Sequence, residues 1–233
     1  MNQPEYSIVR SKRRITGISI SVNAKGVVVR APFWVPVWVI KNFVAEKKDW
    51  IESQQKKIPS TKKPEIQYRD GEGIYYLGEK LPLKIIETDI SLRTQISLEE
   101  QFLSVTVSSH HTGVQRTEEI KKSLSRWYVE MGVGLITEKV NRTSQTLGVS
   151  YARITLKNVS SIWGSCSGKN NLNFNRHLIM APHPIIDYVV IHEVCHLVHR
   201  DHSSRFWALV RRLDPDYKTH RRWLRENRDL LIF

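Results

Sequence analysis

The sequence predicts an α+β fold, with a β-rich half over residues 1–115 and a mainly helical half over residues 116–233. Three observations predict it. Apolar and polar residues alternate near the start, and a helical period takes over after Thr117. The composition, 40% hydrophobic and 25% charged, is that of a globular chain and excludes fibrous or largely disordered classes. No internal repeat or low-complexity segment interrupts this order.

Ile18, Ile20 and Val22 alternate with Ser19 and Ser21, Asn23-Ala24-Lys25-Gly26 is a turn signal, and Val27 to Val29 continues as a second strand. From Pro36 the period lengthens. Val39, Phe43, Val44, Trp50 and Ile51 predict one amphipathic helix to about Gln54, and Pro36 suits its first turn. Residues 55–65, rich in lysine and proline, read as an exposed connection. Strands return between Tyr68 and Ser108. There Asp70-Gly71 and Leu77-Gly78-Glu79 mark turns, and Leu81, Leu83 and Ile85 alternate with Pro82 and Lys84. Thr117 is placed to cap a long helix, with Glu118 and Glu119 where carboxylates favour a helix N-terminus. Ile120, Leu124, Trp127, Met131 and Leu135 form one stripe along it, and Gly148 is its stop signal. Short strands and three more helices follow.

Two cysteines, Cys166 and Cys195, cannot build a disulfide framework, so reduced thiols and a cytoplasmic location are expected. The longest apolar run, residues 31–40, is broken by Pro32 and Pro36 and is far short of a membrane span. It also follows a charged opening and does not read as a signal peptide. Net charge is +13, which brings nucleic acids, nucleotides and other acidic ligands into consideration. That charge is patchy, with Lys12, Arg13 and Arg14 near the start and Arg221, Arg222, Arg225 and Arg228 near the end.

Chemistry concentrates in His192-Glu193-Val194-Cys195-His196. On a helix, positions four apart lie on one face about 6 Å apart along the axis, so both imidazoles can reach one ion at roughly 2.0–2.1 Å. Glu193 is then placed to act on water as a base rather than to ligate. Pro182 and Pro184 mark the helix start, and Ile185, Ile186, Val189, Val190 and Ile191 make it a mostly buried one. The third ligand is a choice between His199 and His202. On a continued helix His199 would sit about 10 Å up the axis, beyond easy reach. Arg200-Asp201-His202-Ser203-Ser204 reads instead as a break, with Ser203 or Ser204 capping a new helix that carries Phe206, Leu209, Val210 and Leu213. Such a turn brings His202 back to the metal, and three nitrogen ligands with one open position suit Zn2+.

The spacing His192-Glu-x-x-His196-x5-His202-x3-Phe206-Trp207 resembles the YgjP-like metallopeptidase family, related to the WLM and SprT-like zincin proteases. Further blocks resemble that family in the same order: Arg10-Ser-Lys-Arg-Arg14, Val29-Arg-Ala-Pro32, Asp70-Gly71, Tyr76-Leu-Gly78, Trp163-Gly-Ser-Cys166, Asp187-Tyr-Val-Val-Ile-His192, Pro215-Asp-Tyr217 and Arg222-Trp-Leu224. The resemblance implies a zincin-like catalytic half with an active-site helix, zinc at His192, His196 and His202, and Glu193 as the catalytic residue. Metzincins place their third histidine at the same distance, but with glycine where His199 stands and a methionine turn downstream. No methionine follows Met180 here.

These readings lead to a peptidase acting on a peptide or protein through a metal-activated water. The resemblance also brings in two other substrates. Some family members carry a UTP pyrophosphatase assignment, and WLM and SprT relatives resemble proteases that clear proteins crosslinked to DNA. Against the first, no Gly-rich phosphate loop is present, and phosphate chemistry favours oxygen-ligated magnesium. For the second, the arginines and lysines just named would hold phosphate backbone. Candidates to stabilise an oxyanion or bind substrate are Tyr217, His220 and Arg205. Asn171 to Asn175 is a candidate edge strand for an extended peptide. Asp187 and Asp201 are candidates to orient the histidines, while Cys166, Cys195, Trp207 and Trp223 are read as packing residues.

Overall fold

Alternating apolar residues near the N-terminus do form a hairpin: β2 (Ser19–Asn23) pairs antiparallel with β3 (Gly26–Pro32). An earlier strand, β1 (Tyr6–Ser11), which the sequence reading missed, adds in parallel on the other side of β3. The structure, a computed structural model, describes residues 5–11, 17–23, 26–57, 66–90, 93–159 and 162–231. Lys12, Arg13 and Arg14, the turn residues Ala24 and Lys25, and the connection from residue 58 to 65 lie outside them.

Two compact units result, residues 1–65 and 66–233. In the first, the expected single helix is two, α1 (Val37–Glu46) and α2 (Lys48–Lys57). Lys47, at φ −97° and ψ 12°, separates them. No glycine or proline marks that break, so the apolar period alone could not reveal it. Val27, Val29 and Ala31 pack with Val35, Ile40, Val44 and Ile51 in a small core. The Arg10 guanidinium ties down the turn that follows β3, donating to the carbonyls of Pro32 at 3.1 Å and Phe33 at 3.2 Å, and to that of Val35.

The second unit begins with a four-stranded sheet of β4 (Gly73–Tyr76), β5 (Glu79–Thr88), β6 (Gln95–Leu98) and β7 (Leu103–Ser108), in the order β4-β5-β7-β6. This sheet was expected to belong with the N-terminal region. It shares one core with the helices instead: Leu83, Leu103, Val105 and Val107 cluster with Ile120, Leu124 and Tyr128. The boundary therefore falls at 65/66, not 115/116.

Helix α3 (Gly113–Leu147) starts one turn before Thr117. Thr112 is its N-cap, and Thr117 donates its hydroxyl to the Gly113 carbonyl 3.2 Å away. Its end is where the sequence places it, at Gly148 with φ 63°, a left-handed conformation that glycine adopts without a side-chain clash. A second sheet follows, of β8 (Arg153–Lys157), β9 (Gly164–Cys166) and β10 (Asn171–Asn175), in the order β8-β10-β9. The chain then makes a 3-10 turn (Arg176–Met180) into helix α4 (His183–Cys195), followed by α5 (Ser204–Leu213) and α6 (Tyr217–Glu226). The architecture is thus α+β, with strands early and helices late.

α3 and α4 are joined by a charge pair as well as by packing. Lys139, buried to 6% exposure, places Nζ 2.6 Å from the Asp187 carboxylate, and Arg142 lies 3.7 Å from the same oxygen. Asp187 therefore neutralises a buried lysine, in place of the histidine-orienting role expected from the sequence. Removing the aspartate would leave that lysine buried and unpaired, a destabilising change.

Candidate metal centre

Helix α4 carries His192 in its last turn and ends at Cys195, with His196 as its C-cap. The chain turns through residues 197–201 and re-enters helix at α5, whose N-cap is Ser203; its hydroxyl accepts from the Phe206 N–H at 3.4 Å. Asp201 shapes this turn by accepting from the Ser203 N–H at 3.2 Å. The break folds His202 back onto the helix. His192, His196 and His202 each present a nitrogen within 4.8 Å of the others. His199 does not join them; its carbonyl instead lies 3.0 Å from His196 Nδ1. A carbonyl only accepts, so Nδ1 carries the proton and the lone pair of His196 is left on Nε2.

The donor set fits a small divalent cation. Nε2 of His202 lies 3.1 Å from Nε2 of His192, close to the roughly 3.3 Å edge of a tetrahedron of nitrogens around zinc. His192 Nδ1 is buried without a hydrogen-bond partner among the described residues. Burial, then the neighbouring His196, His202 and Arg221, push the His192 pKa down to about 3, and burial also lowers that of His196. Both imidazoles are therefore neutral and able to ligate.

Aromatic rings hold the triad from one side. Phe206, fully buried, stacks on His196 with centroids 4.4 Å apart and meets His192 and His202 edge-on at 5.0 and 4.9 Å. Trp207 stacks on His202 at 5.7 Å and on Tyr217 at 5.3 Å. Read from sequence as a packing residue, Trp207 is thus half-buried against the centre itself.

Glu193 is 5% exposed, and burial alone pushes its carboxyl up to about 8. It lines a cleft of about 450 Å³ with His192, Tyr188, Val189, Trp163, Gly164 and residues of α6 and beyond. Gly164 lies so close that a Cβ there would sit 2.6 Å from the Glu193 Oε1 and Cγ. Only glycine leaves the carboxylate its place.

Gly164 belongs to β9, an edge of the second sheet, while β10 is central. This corrects the expectation that Asn171 to Asn175 forms the edge: β8 and β9 pair with β10 on its two sides. Arg200 fastens the edge strand to the turn after α4, donating to Cys166 Sγ at 3.1 Å, to the Ser167 carbonyl at 2.8 Å and to Asn170 Oδ1. Cys166 is accordingly a structural contact, with its thiol pKa raised chiefly by burial.

None of the three proposed oxyanion or substrate residues lines the cleft with Glu193. Tyr217 is buried under Trp207, His220 pairs with the Asp214 carboxylate at 2.9 Å, and Arg205 lines a separate groove beside residues 198–204. The cleft presents Tyr188 and Arg221 instead. Burial holds the Tyr188 hydroxyl protonated, with its pKa up to about 12. Its spacing from His192, one helical turn back on the same face, was the available signal.

A buried helix that supplies two histidines, a third from the next turn and an acid on the cleft wall together form a candidate metal centre. The sequence matches the family described as YgjP-like, metallopeptidase domain over residues 16–227, and the chain belongs to that family. Membership implies a metal ion, and His192, His196 and His202 are residues that could bind it. No curated protein matches the sequence significantly. Among solved structures, the metallopeptidase zymogen of Pyrococcus abyssi abylysin is similar at 19% identity and a TM-score of 0.36, covering 39% of this chain and 93% of that one. That of Methanocaldococcus jannaschii jannalysin is similar at 17% identity and 0.35, covering 39% and 94%. No helix among the described residues is long and apolar enough to cross a membrane.

Proposed function

We propose that this chain is a zinc-dependent peptidase whose ligands are His192, His196 and His202 and whose catalytic acid–base is Glu193. The observation that carries this reading is the convergence of three imidazole nitrogens within 4.8 Å, beside a buried carboxylate on a cleft wall. Zinc held there would supply Lewis acidity toward a carbonyl and a water. Glu193 takes the proton of the attacking water on its carboxylate and passes it to the leaving amine. Burial raises the proton affinity of that carboxylate. The edge of β9 that pairs with no other strand among the described residues aligns an extended peptide by backbone pairing, alongside Gly164 and the cleft. Tyr188 and Arg221, which line the same cleft, oppose the charge that develops on the carbonyl oxygen. A cytoplasmic location is part of the proposal and rests on two unpaired thiols, Cys166 and Cys195. Paired peptide and UTP hydrolysis assays on one zinc-loaded sample test it. Peptide turnover without UTP turnover is expected, and the reverse would overturn the peptidase reading.

A DNA-associated peptidase is the second reading, favoured by a groove of about 520 Å³ lined by Trp207, Tyr217, Lys218, Arg221, Arg222 and Arg225. Stacked aromatics interleaved with cations suit single-stranded nucleic acid. Binding of single-stranded DNA should weaken steeply with salt and with Arg222→Gln; no binding at low salt removes this reading.

A further inference from the structure

We propose that the cleft beside Glu193 is a subsite for a carboxylate carried by the substrate peptide, so that the enzyme selects acidic substrates. The inference rests on the peptidase reading of the same site. Three arginines, Arg221 and Arg225 of α6 and Arg228 just beyond it, line this cleft, and among the described residues that line it the acid is Glu193, which is committed to the chemistry. An excess of guanidinium groups along one cleft concentrates anions at its mouth. Part of the remaining wall is apolar, with Ile162, Trp163, Val189 and Leu224. Such walls exclude water and strengthen a charge pair formed against them.

The guanidinium groups suit a carboxylate by geometry as well as by charge, because a planar fork matches two oxygens. Arg221 is positioned in advance, its guanidinium 5.2 Å from the centre of the Trp207 ring that stacks on His202. It lines the cleft together with His192 and Tyr188, which places it at the reacting end. Arg225 pairs with Glu226 at 3.4 Å, but both side chains are more than half exposed, and such a pair yields readily to a better partner. An apolar-walled slot beside an edge strand fits an amino-acid side chain or a chain end. The carboxylate could come from an aspartate or glutamate near the scissile bond, or from the substrate's own C-terminus.

Binding to the zinc-loaded Glu193→Gln protein, read by fluorescence anisotropy, separates this proposal from catalysis. Three peptides of one length are compared: one with an internal glutamate and an amidated end, one with glutamine and a free carboxylate, and one with glutamine and an amidated end. At least one of the first two should bind about tenfold or more tightly than the third. Which one does so identifies the source of the carboxylate. That preference should disappear when Arg225→Gln and Arg228→Gln are combined, and Arg225→Lys should restore part of it. Both positions are exposed, so the fold should persist, as circular dichroism would verify. Equal binding of all three peptides, absence of binding by both carboxylate peptides, or a preference that survives loss of the arginines would overturn the proposal. If the preference holds but the wild type cleaves none of the three, the subsite stands and the peptidase reading fails.

Discussion

Glu193→Gln should lower peptide turnover by about 10²–10⁴-fold, the usual contribution of a positioned acid–base group, while zinc content stays at the wild-type level. Glutamine matches glutamate in size but cannot take a proton from water. The loss corresponds to roughly 3–5 kcal/mol of transition-state stabilisation. The substitution should not weaken the fold. Glu193 is 5% exposed, and glutamine fills the same volume without adding a buried charge. Thermal unfolding beside steady-state kinetics and metal analysis checks all three expectations. Undiminished turnover with zinc in place would remove Glu193 from the mechanism.

The second large effect is expected from a residue with no functional group. In Gly164→Ala, the new Cβ would stand 2.6 Å from Glu193 Cγ and Oε1 and 2.8 Å from Cδ, far inside van der Waals contact. Glu193 is the partner that gives, because its side chain can rotate while strand β9 is held by pairing to β10 and by Arg200. A carboxylate displaced by about 1 Å costs about 10²-fold in rate. Turnover should therefore fall by that order with zinc content and far-UV circular dichroism unchanged. Wild-type kinetics in Gly164→Ala would mean that the carboxylate does not act from the position described.

The triad was legible in the sequence because every part of it is local. A spacing of four between His192 and His196 is a helix face, and Ser203 three residues before Phe206 is a cap, so the break that returns His202 is written within eleven residues. The stop at Gly148 and the strand alternation around Leu83 were legible for the same reason. What escaped notice depends on partners distant in sequence. Nothing near Asn171 to Asn175 tells that β8 and β9 flank it, and nothing near Gly164 announces Glu193. The start of α3 was misplaced because residues 113–116 carry no apolar stripe, and Thr112 caps them without a side-chain bond. The acidic residues after Thr117 imitated a helix start one turn too late. Tyr217, His220 and Arg205 were plausible by chemistry alone. That none of them lines the cleft with Glu193 became visible only with Trp207, Asp214 and the loop at residues 198–204 around them.

Zinc content by mass spectrometry, with affinity from competition against a chromophoric chelator, tests the centre most directly in wild type, His199→Ala and His202→Ala. One zinc per chain is expected in wild type and in His199→Ala, because position 199 contributes its backbone carbonyl and not its ring. His202→Ala should bind at least roughly 100-fold more weakly, since a lost ligand costs more than a lost supporting hydrogen bond. Wild-type protein that takes up no zinc, or His202→Ala that holds it with undiminished affinity, would contradict the three-imidazole centre.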